Sequence, residues 1–163
     1  MIETIELLPG ITLRCFRDSR FKQTGLTFQI VRPLAHQEAA MNALIPAVLL
    51  RGCTSAPDLR AITLRLDDLY GASIGALARK VGDYQTTGLS CAFINDRFAM
   101  AGDTILEPMA KLLQQLLLEP VCQENGFCEA FVESEKKNLT CALEAERNDK
   151  RAYAGAQLLR TMC

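Results

Sequence analysis

The sequence predicts an α+β fold, with a mostly antiparallel sheet and helices packed on one face. Residues 26–30 alternate between apolar and polar side chains, which is the period-2 pattern of a strand with one buried face. Residues 72–81 and 85–94 are also strand-like, and the short connection at Gly82 and Asp83 favours an antiparallel hairpin. Amphipathic helical segments accompany these strands without strict β-α-β alternation, which is typical of the α+β class.

The N-terminal elements follow from turn and breaker signals. A short strand is predicted at residues 11–16, and Pro33 closes the strand that contains residues 26–30. Residues 36–50 then show a helical pattern that Gly52 is expected to stop. Pro46 should kink this helix or mark its irregular last turn, because proline has no amide hydrogen and crowds the carbonyl four residues back.

Three further helices are predicted. The first begins near Ser55 with Pro57 in its first turn and ends at Gly71; its apolar stripe is Leu59, Ile62, Leu66 and Leu69. The second covers residues 104–118, and the third is a long charged helix at about residues 126–146. Helical character continues through residues 152–163 without a stop signal. Residues 1–163 are therefore interpreted as one domain cut from a longer protein.

Composition excludes several classes of protein. Of the 163 residues, 49% are hydrophobic and 23% charged, as in globular proteins, and the net charge is −1 with both signs interspersed. No patch for nucleic acid or a membrane surface is indicated, and no apolar run approaches the roughly 20 residues of a bilayer span. The acidic start lacks the basic region of a secretory signal. Seven cysteines, an odd number, favour reduced thiols in the cytoplasm.

The chain carries few residues suited to catalysis. His36 is the single histidine, so a two-histidine zinc site cannot be built, and no nucleophile-elbow sequence supports a serine triad. His36 is predicted to be a solvated residue at a helix start. Gly71 and Gly75 lack the lysine and helix start of a phosphate-binding loop. The acidic and basic residues of the helix at 126–146 indicate a solvated face.

The cysteines are predicted to be structural. Cys122 and Cys128 are too far apart in sequence for the Cys-X-X-Cys spacing that converges on one metal ion. Cys15 and Cys91 lie in strand-like segments and are expected to pack as small apolar residues.

Several segments together resemble the M16 family of zinc metallopeptidases, which includes insulinase and the mitochondrial processing peptidase. Residues 42–53 are similar to the family's zinc helix with its basic-glycine end, and residues 66–73 to the stretch before its second strand pair. Residues 93–98, 135–139 and 148–153 are more similar still to one bacterial subgroup. That subgroup is associated with the 5-aminopentanol modification of elongation factor P. The resemblance implies an incomplete N-terminal domain of the LuxS/MPP-like metallohydrolase fold.

The resemblance also implies that the zinc site is lost. The positions of the His-X-X-Glu-His motif fall on Ala43, Pro46 and Ala47, and Glu135 matches the third ligand on the later helix. Alanine cannot donate electrons to zinc, and one carboxylate alone would not hold the ion, so Glu135 is interpreted as a surface acid. No catalytic residue, metal or cofactor is therefore expected.

By the same resemblance, the chain would be a non-catalytic subunit that pairs with an active zinc-peptidase paralogue, or with a second M16-like domain, around a peptide or protein substrate. Two alternatives stay open. One is an active metallopeptidase with ligands supplied elsewhere, and the other is a cysteine-based redox or metal-binding protein with a reactive, low-pKa thiol. The vacated metal pocket is predicted to be filled by apolar packing, since Ala43 and Ala47 lie one turn apart.

Overall fold

A computed structural model describes residues 2–124 and 126–162, apart from the side chain of Arg160. Its elements in chain order are β1 (Ile2–Leu8), β2 (Ile11–Phe16), β3 (Gln23–Pro33), α1 (Ala39–Leu49), α2 (Leu59–Asp68), β4 (Ser73–Val81), β5 (Tyr84–Ile94), α3 (Leu106–Leu118), β6 (Cys122–Gln123), β7 (Gly126–Phe127), α4 (Glu129–Glu146) and α5 (Lys150–Met162).

The central sheet has three strands in the order β3-β5-β4, and both pairings are antiparallel. β4 and β5 form the predicted hairpin, and Gly82 adopts a φ of +60° in its turn, a conformation that glycine accepts without steric cost. β3 pairs with β5 from Gln23 opposite Ile94 to Pro33 opposite Tyr84. The predicted α+β class with antiparallel strands is confirmed.

The core lies between one face of β5 and the apolar stripe of α3. Leu89, Cys91 and Phe93 alternate along β5, and all three are buried. They belong to one cluster with the buried residues of α3 and its start, which are Ile105, Met109, Leu112, Leu113 and Leu116. Gln85 lies on the same face of β5 as these three residues, because it is an even number of positions from each of them. Its Nε2 donates to the carbonyl of Ala39 in α1 at 2.8 Å. The two helices therefore pack on the same face of the sheet.

A separate hairpin precedes the sheet. β1 and β2 pair antiparallel from Ile2 opposite Phe16, and nearly all of their side chains are exposed. Strand β2 was predicted at these bounds, whereas β1 was not. The segment after the hairpin is held by Arg97, whose Nη2 donates to the carbonyls of Ser19 at 2.6 Å and Phe21 at 2.9 Å.

The predicted start of the second helix is wrong. Helix α2 begins at Leu59 rather than near Ser55, because Asp58 is its N-cap and accepts a hydrogen bond from the Ala61 amide at 2.8 Å. Pro57 thus precedes the cap instead of lying in the first turn. Leu59 is 47% exposed and does not belong to the buried stripe, whereas Ile62 does.

Other helix bounds differ by a few residues. α1 begins at Ala39 instead of residue 36, and it ends at Leu49, three residues after Pro46. α3 begins at Leu106 instead of residue 104, since the carboxylate of Asp96 accepts from the amides of Ile105 at 2.9 Å and Leu106 at 3.0 Å.

The predicted helix at 126–146 also begins too early, because β7 occupies Gly126–Phe127 and α4 begins at Glu129. A break at residues 147–149 separates α4 from α5, and Asp149 caps α5 by accepting from the amides of Arg151 and Ala152, both at 3.1 Å. The predicted C-terminal helix is present to Met162, and Cys163 lies outside the described residues. None of the described helices is long and apolar enough to cross a bilayer.

Candidate functional site

Helix α1 carries the three positions that the resemblance aligns with the zinc motif, and it packs against α4. Ala43 and Ala47 are one turn apart on this helix and are both half-buried, while Pro46 is buried. One turn further along the chain, just past the end of α1, is Arg51. Arg51 contacts α4 through its side chain, which is bonded to Glu135, and α1 itself also contacts α4.

Glu135 on α4 is paired with a cation just past the end of α1. Its Oε1 accepts from Arg51 Nη1 at 3.0 Å, and its Oε2 accepts from Asn138 Nδ2 at 3.2 Å. The Glu135 side chain is only 13% exposed and that of Arg51 26%. The Arg51 guanidinium also lies 5.4 Å from the ring centroid of Phe131, within cation–π range. The interpretation of Glu135 as a surface acid is therefore wrong: it is a half-buried acid in an interhelical ion pair.

These residues do not fit a zinc ion. Alanine and proline side chains have no lone pair to donate, so Glu135 is the one ligand left from the set, and its charge is balanced by Arg51. Within residues 2–124 and 126–162, no group of three or more His, Cys, Asp or Glu side chains could hold a metal ion. Neither Ala43 nor Ala47 lines the cleft between α2 and α3 or the cavity beside the β6–β7 hairpin. The apolar filling of the old pocket stays a prediction, and the Arg51–Glu135 pair shows that one edge of this region is polar.

The remaining predicted residues are dispersed. His36 is exposed before α1, Gly71 lies in the turn after α2, and Gly75 lies within β4, far from any helix start. Cys91 is buried, and this burial raises its pKa to about 11, because the thiolate would lose its hydration. That shift is opposite to the one a reactive thiol needs.

Cys15 is half-buried in β2, as is Cys128 before α4, whereas Cys122 is exposed in β6. Cys122 pairs with Phe127 across the β6–β7 hairpin, so Cys128 is one residue out of register with it. Cys128 lies after the end of β7, as the N-cap of α4, and the two cysteines belong to no described group of three or more side chains that could hold a metal ion.

Sequence reasoning missed a cleft between α2 and α3. It has a volume of about 460 Å³ and is lined by Ser55, Arg65, Asp68, Leu69, Pro108, Lys111, Leu112 and Gln115. Arg65 and Lys111 are 46 positions apart in the sequence, so no local motif brings them together.

The sequence of this chain is similar to that of a known bacterial protein. Over 154 residues, 30% of positions are identical to those of the Bacillus subtilis (strain 168) protein named "Probable inactive metalloprotease YmfF". The chain is homologous to that protein. The alignment covers 94% of this chain and 36% of the relative, so the chain spans about a third of the relative's length. No family model matches the chain.

A solved structure shows the same fold. The crystal structure of a conserved protein from Enterococcus faecalis V583 superposes with a TM-score of 0.86 at 24% identity, over 94% of this chain and 36% of that one. The two proteins therefore share the α+β arrangement of antiparallel strands and helices.

The Arg51–Glu135 pair is expected to stabilise the α1–α4 contact. Removing either partner leaves the other half-buried without its counter-charge, so Arg51→Gln and Glu135→Gln should each lower the free energy of unfolding by about 1–2 kcal/mol. A double-mutant cycle from urea denaturation should give a coupling energy of about 1 kcal/mol.

The exposed pair Lys136–Glu133, with nitrogen and oxygen 2.6 Å apart, provides the control, because both side chains are more than half exposed. Its coupling should be no more than about 0.5 kcal/mol. Equal coupling energies for the two pairs would contradict a special role for the α1–α4 ion pair.

Proposed function

We propose that this chain is the zinc-less part of an M16-like peptidase homologue that binds substrate and assembles with other subunits instead of cleaving peptides. The observation that carries the proposal is the state of the zinc-motif positions: Ala43, Pro46 and Ala47 cannot bind zinc or activate water, and Glu135 is bonded to Arg51. The printed name of the Bacillus subtilis relative, a probable inactive metalloprotease, supports the same interpretation.

The proposal includes a partner. We infer an active zinc-peptidase paralogue, or a second M16-like domain, that shares a chamber for a peptide or protein substrate in the cytoplasm. Apolar side chains exposed on β1, β2 and α5 support this, because a partner would remove them from water; they include Ile2, Leu8, Phe16, Leu158 and Leu159. Co-purification of a chain with an intact His-X-X-Glu-His motif tests the partner.

The finer assignment to the elongation factor P subgroup rests on the resemblance of residues 93–98, 135–139 and 148–153.

The first test is bound zinc per chain. Protein purified with zinc supplied and then desalted should carry well under about 0.1 zinc per chain, because a single carboxylate paired with arginine does not retain the ion. Elemental analysis measures this directly. A value near one would overturn the proposal, and Glu135→Gln and single Cys→Ser variants would then locate the unrecognised site. Loss of the zinc in Glu135→Gln would favour a metallopeptidase, and its loss in a cysteine variant would favour the thiol-based alternative.

A further inference from the structure

We propose that the cleft between α2 and α3 binds a small organic monocarboxylate with an apolar body. Its volume of about 460 Å³ lies within the range of small-molecule sites in proteins. The lining combines two cations with one carboxylate and an apolar floor, which is the mixture that orients a ligand at one end and desolvates it at the other. None of the residues that line the cleft belongs to α1, and the inference does not depend on the proposed function.

Arg65 is held in place by neutral acceptors. Its Nη1 donates to Ser55 Oγ at 3.0 Å and to Gln115 Oε1 at 3.3 Å, and its Nη2 donates to the carbonyl of Ser55 at 2.6 Å. Ser55 Oγ itself donates to Gln115 Oε1 at 2.7 Å, which ties the loop before α2 to α3. A guanidinium fixed in this way loses little side-chain entropy when it binds an anion.

The positive charge of the cleft is not neutralised within the described residues. No described carboxylate forms an ion pair with Arg65 or with the exposed Lys111. Asp68 also lines the cleft, so two cations and one anion leave a formal charge of +1. That charge matches a single carboxylate. A dianion such as a phosphate monoester would meet additional repulsion from Asp68, whereas a ligand N–H group could donate a hydrogen bond to it.

The apolar part of the lining indicates that the other end of the ligand is apolar. Leu69 is the C-cap of α2, whereas Pro108 and Leu112 belong to α3, and Leu112 is already part of the core. An aliphatic side chain the size of leucine would bury its methyl groups against these residues. N-acetyl-leucine combines the three features: a carboxylate, an N–H donor and an aliphatic body. It is therefore the probe.

The test is an amide chemical-shift titration of the 163-residue chain with N-acetyl-leucine. We expect saturable shifts at the amides of Ser55, Leu69 and Gln115, with a Kd in the millimolar range typical of so small a ligand. N-acetyl-leucinamide, which lacks the charge, should bind at least about tenfold more weakly. Equal binding of acid and amide, or shifts that do not saturate or lie elsewhere, would overturn the proposal.

Matched variants separate the site from general charge effects. Lys111→Ala should weaken binding about fivefold, whereas Lys137→Ala, which removes an exposed lysine from α4, should leave it unchanged. Because Lys111 is exposed, the variant should retain the circular dichroism spectrum of the parent. Equal weakening by both substitutions, or none by Lys111→Ala, would reject the site. Asp68→Asn should improve binding of phenyl phosphate relative to N-acetyl-leucine, and no such change would reject the role of Asp68.

The same carboxylate could come from the end of a peptide or from a free metabolite. A short peptide with a free C-terminal leucine distinguishes the two sources. If it binds at least as tightly as N-acetyl-leucine, the ligand is a chain end. If the small acid alone binds, the ligand is a free small molecule.

Discussion

Gly88→Ala is expected to lower the free energy of unfolding by about 3 kcal/mol or more, the largest effect among the substitutions considered. A β-carbon added at Gly88 would lie 1.9 Å from the Phe28 carbonyl oxygen and 3.1 Å from the α-carbon of Gln29. Both atoms belong to the backbone of β3. No side-chain rotation relieves such a clash, so either β3 or β5 must move, and β5 is the central strand whose register fixes both neighbours.

Urea denaturation followed by circular dichroism measures this effect, and Gly75→Ala is the matched control. Gly75 lies in β4, at the edge of the same sheet, and a β-carbon there would meet nothing within 4 Å. Its replacement should change stability by no more than about 0.5 kcal/mol. A similar loss of unfolding free energy in both variants would show that replacing any strand glycine has this cost. The close approach of β3 to β5 at Gly88 would then not be its cause.

The elements that the sequence predicted correctly are those whose signals are local. The β4–β5 hairpin has a two-residue connection between apolar strands, and α3 has a complete apolar stripe, so neither needs distant information. β1 was missed because its apolar residues are at positions 2, 5, 7 and 8, which do not alternate. The errors at helix starts arose because other residues cap these helices. Asp58 is the N-cap of α2, although the position of Pro57 had suggested a start near Ser55. Asp96 accepts a hydrogen bond from the Leu106 amide at the start of α3, ten residues further along the chain.

The site shows the same division between local and distant information. The absence of zinc ligands at the positions that the resemblance aligns with the motif can be read from three residues of α1, because those positions lie within one helix. The ion pair of Glu135 could not be predicted from the sequence. Its partner Arg51 is 84 positions away and comes close only when the chain folds. The cleft between α2 and α3 depends likewise on residues 55, 65 and 115, which only the folded chain brings within hydrogen-bond distance.

Restoring two histidines to α1 is expected to restore zinc binding. In Ala43→His/Ala47→His, the two imidazoles would lie one turn apart on α1, a spacing that lets two histidines bind one ion, and we expect Glu135 to provide the third ligand. We expect about one zinc per chain after desalting, compared with almost none in the parent chain. Pro46 is left unchanged, because its position corresponds to the general base and not to a ligand. Elemental analysis and competition with a colorimetric chelator measure stoichiometry and affinity.

The contribution of Glu135 separates a rebuilt site from any histidine pair on a helix. Met41→His/Ile45→His has the same spacing on α1, but Met41 is 63% exposed and Ile45 42% exposed, so this pair lies toward solvent, off the Ala43–Ala47 face. Adding Glu135→Gln should weaken zinc binding to the first pair at least about tenfold and leave the second unchanged. Arg51→Gln should strengthen binding to the first pair, because it frees the carboxylate. If Glu135→Gln had no effect on either pair, Glu135 would not be the third-ligand position, and the alignment of this chain with the zinc motif would fail.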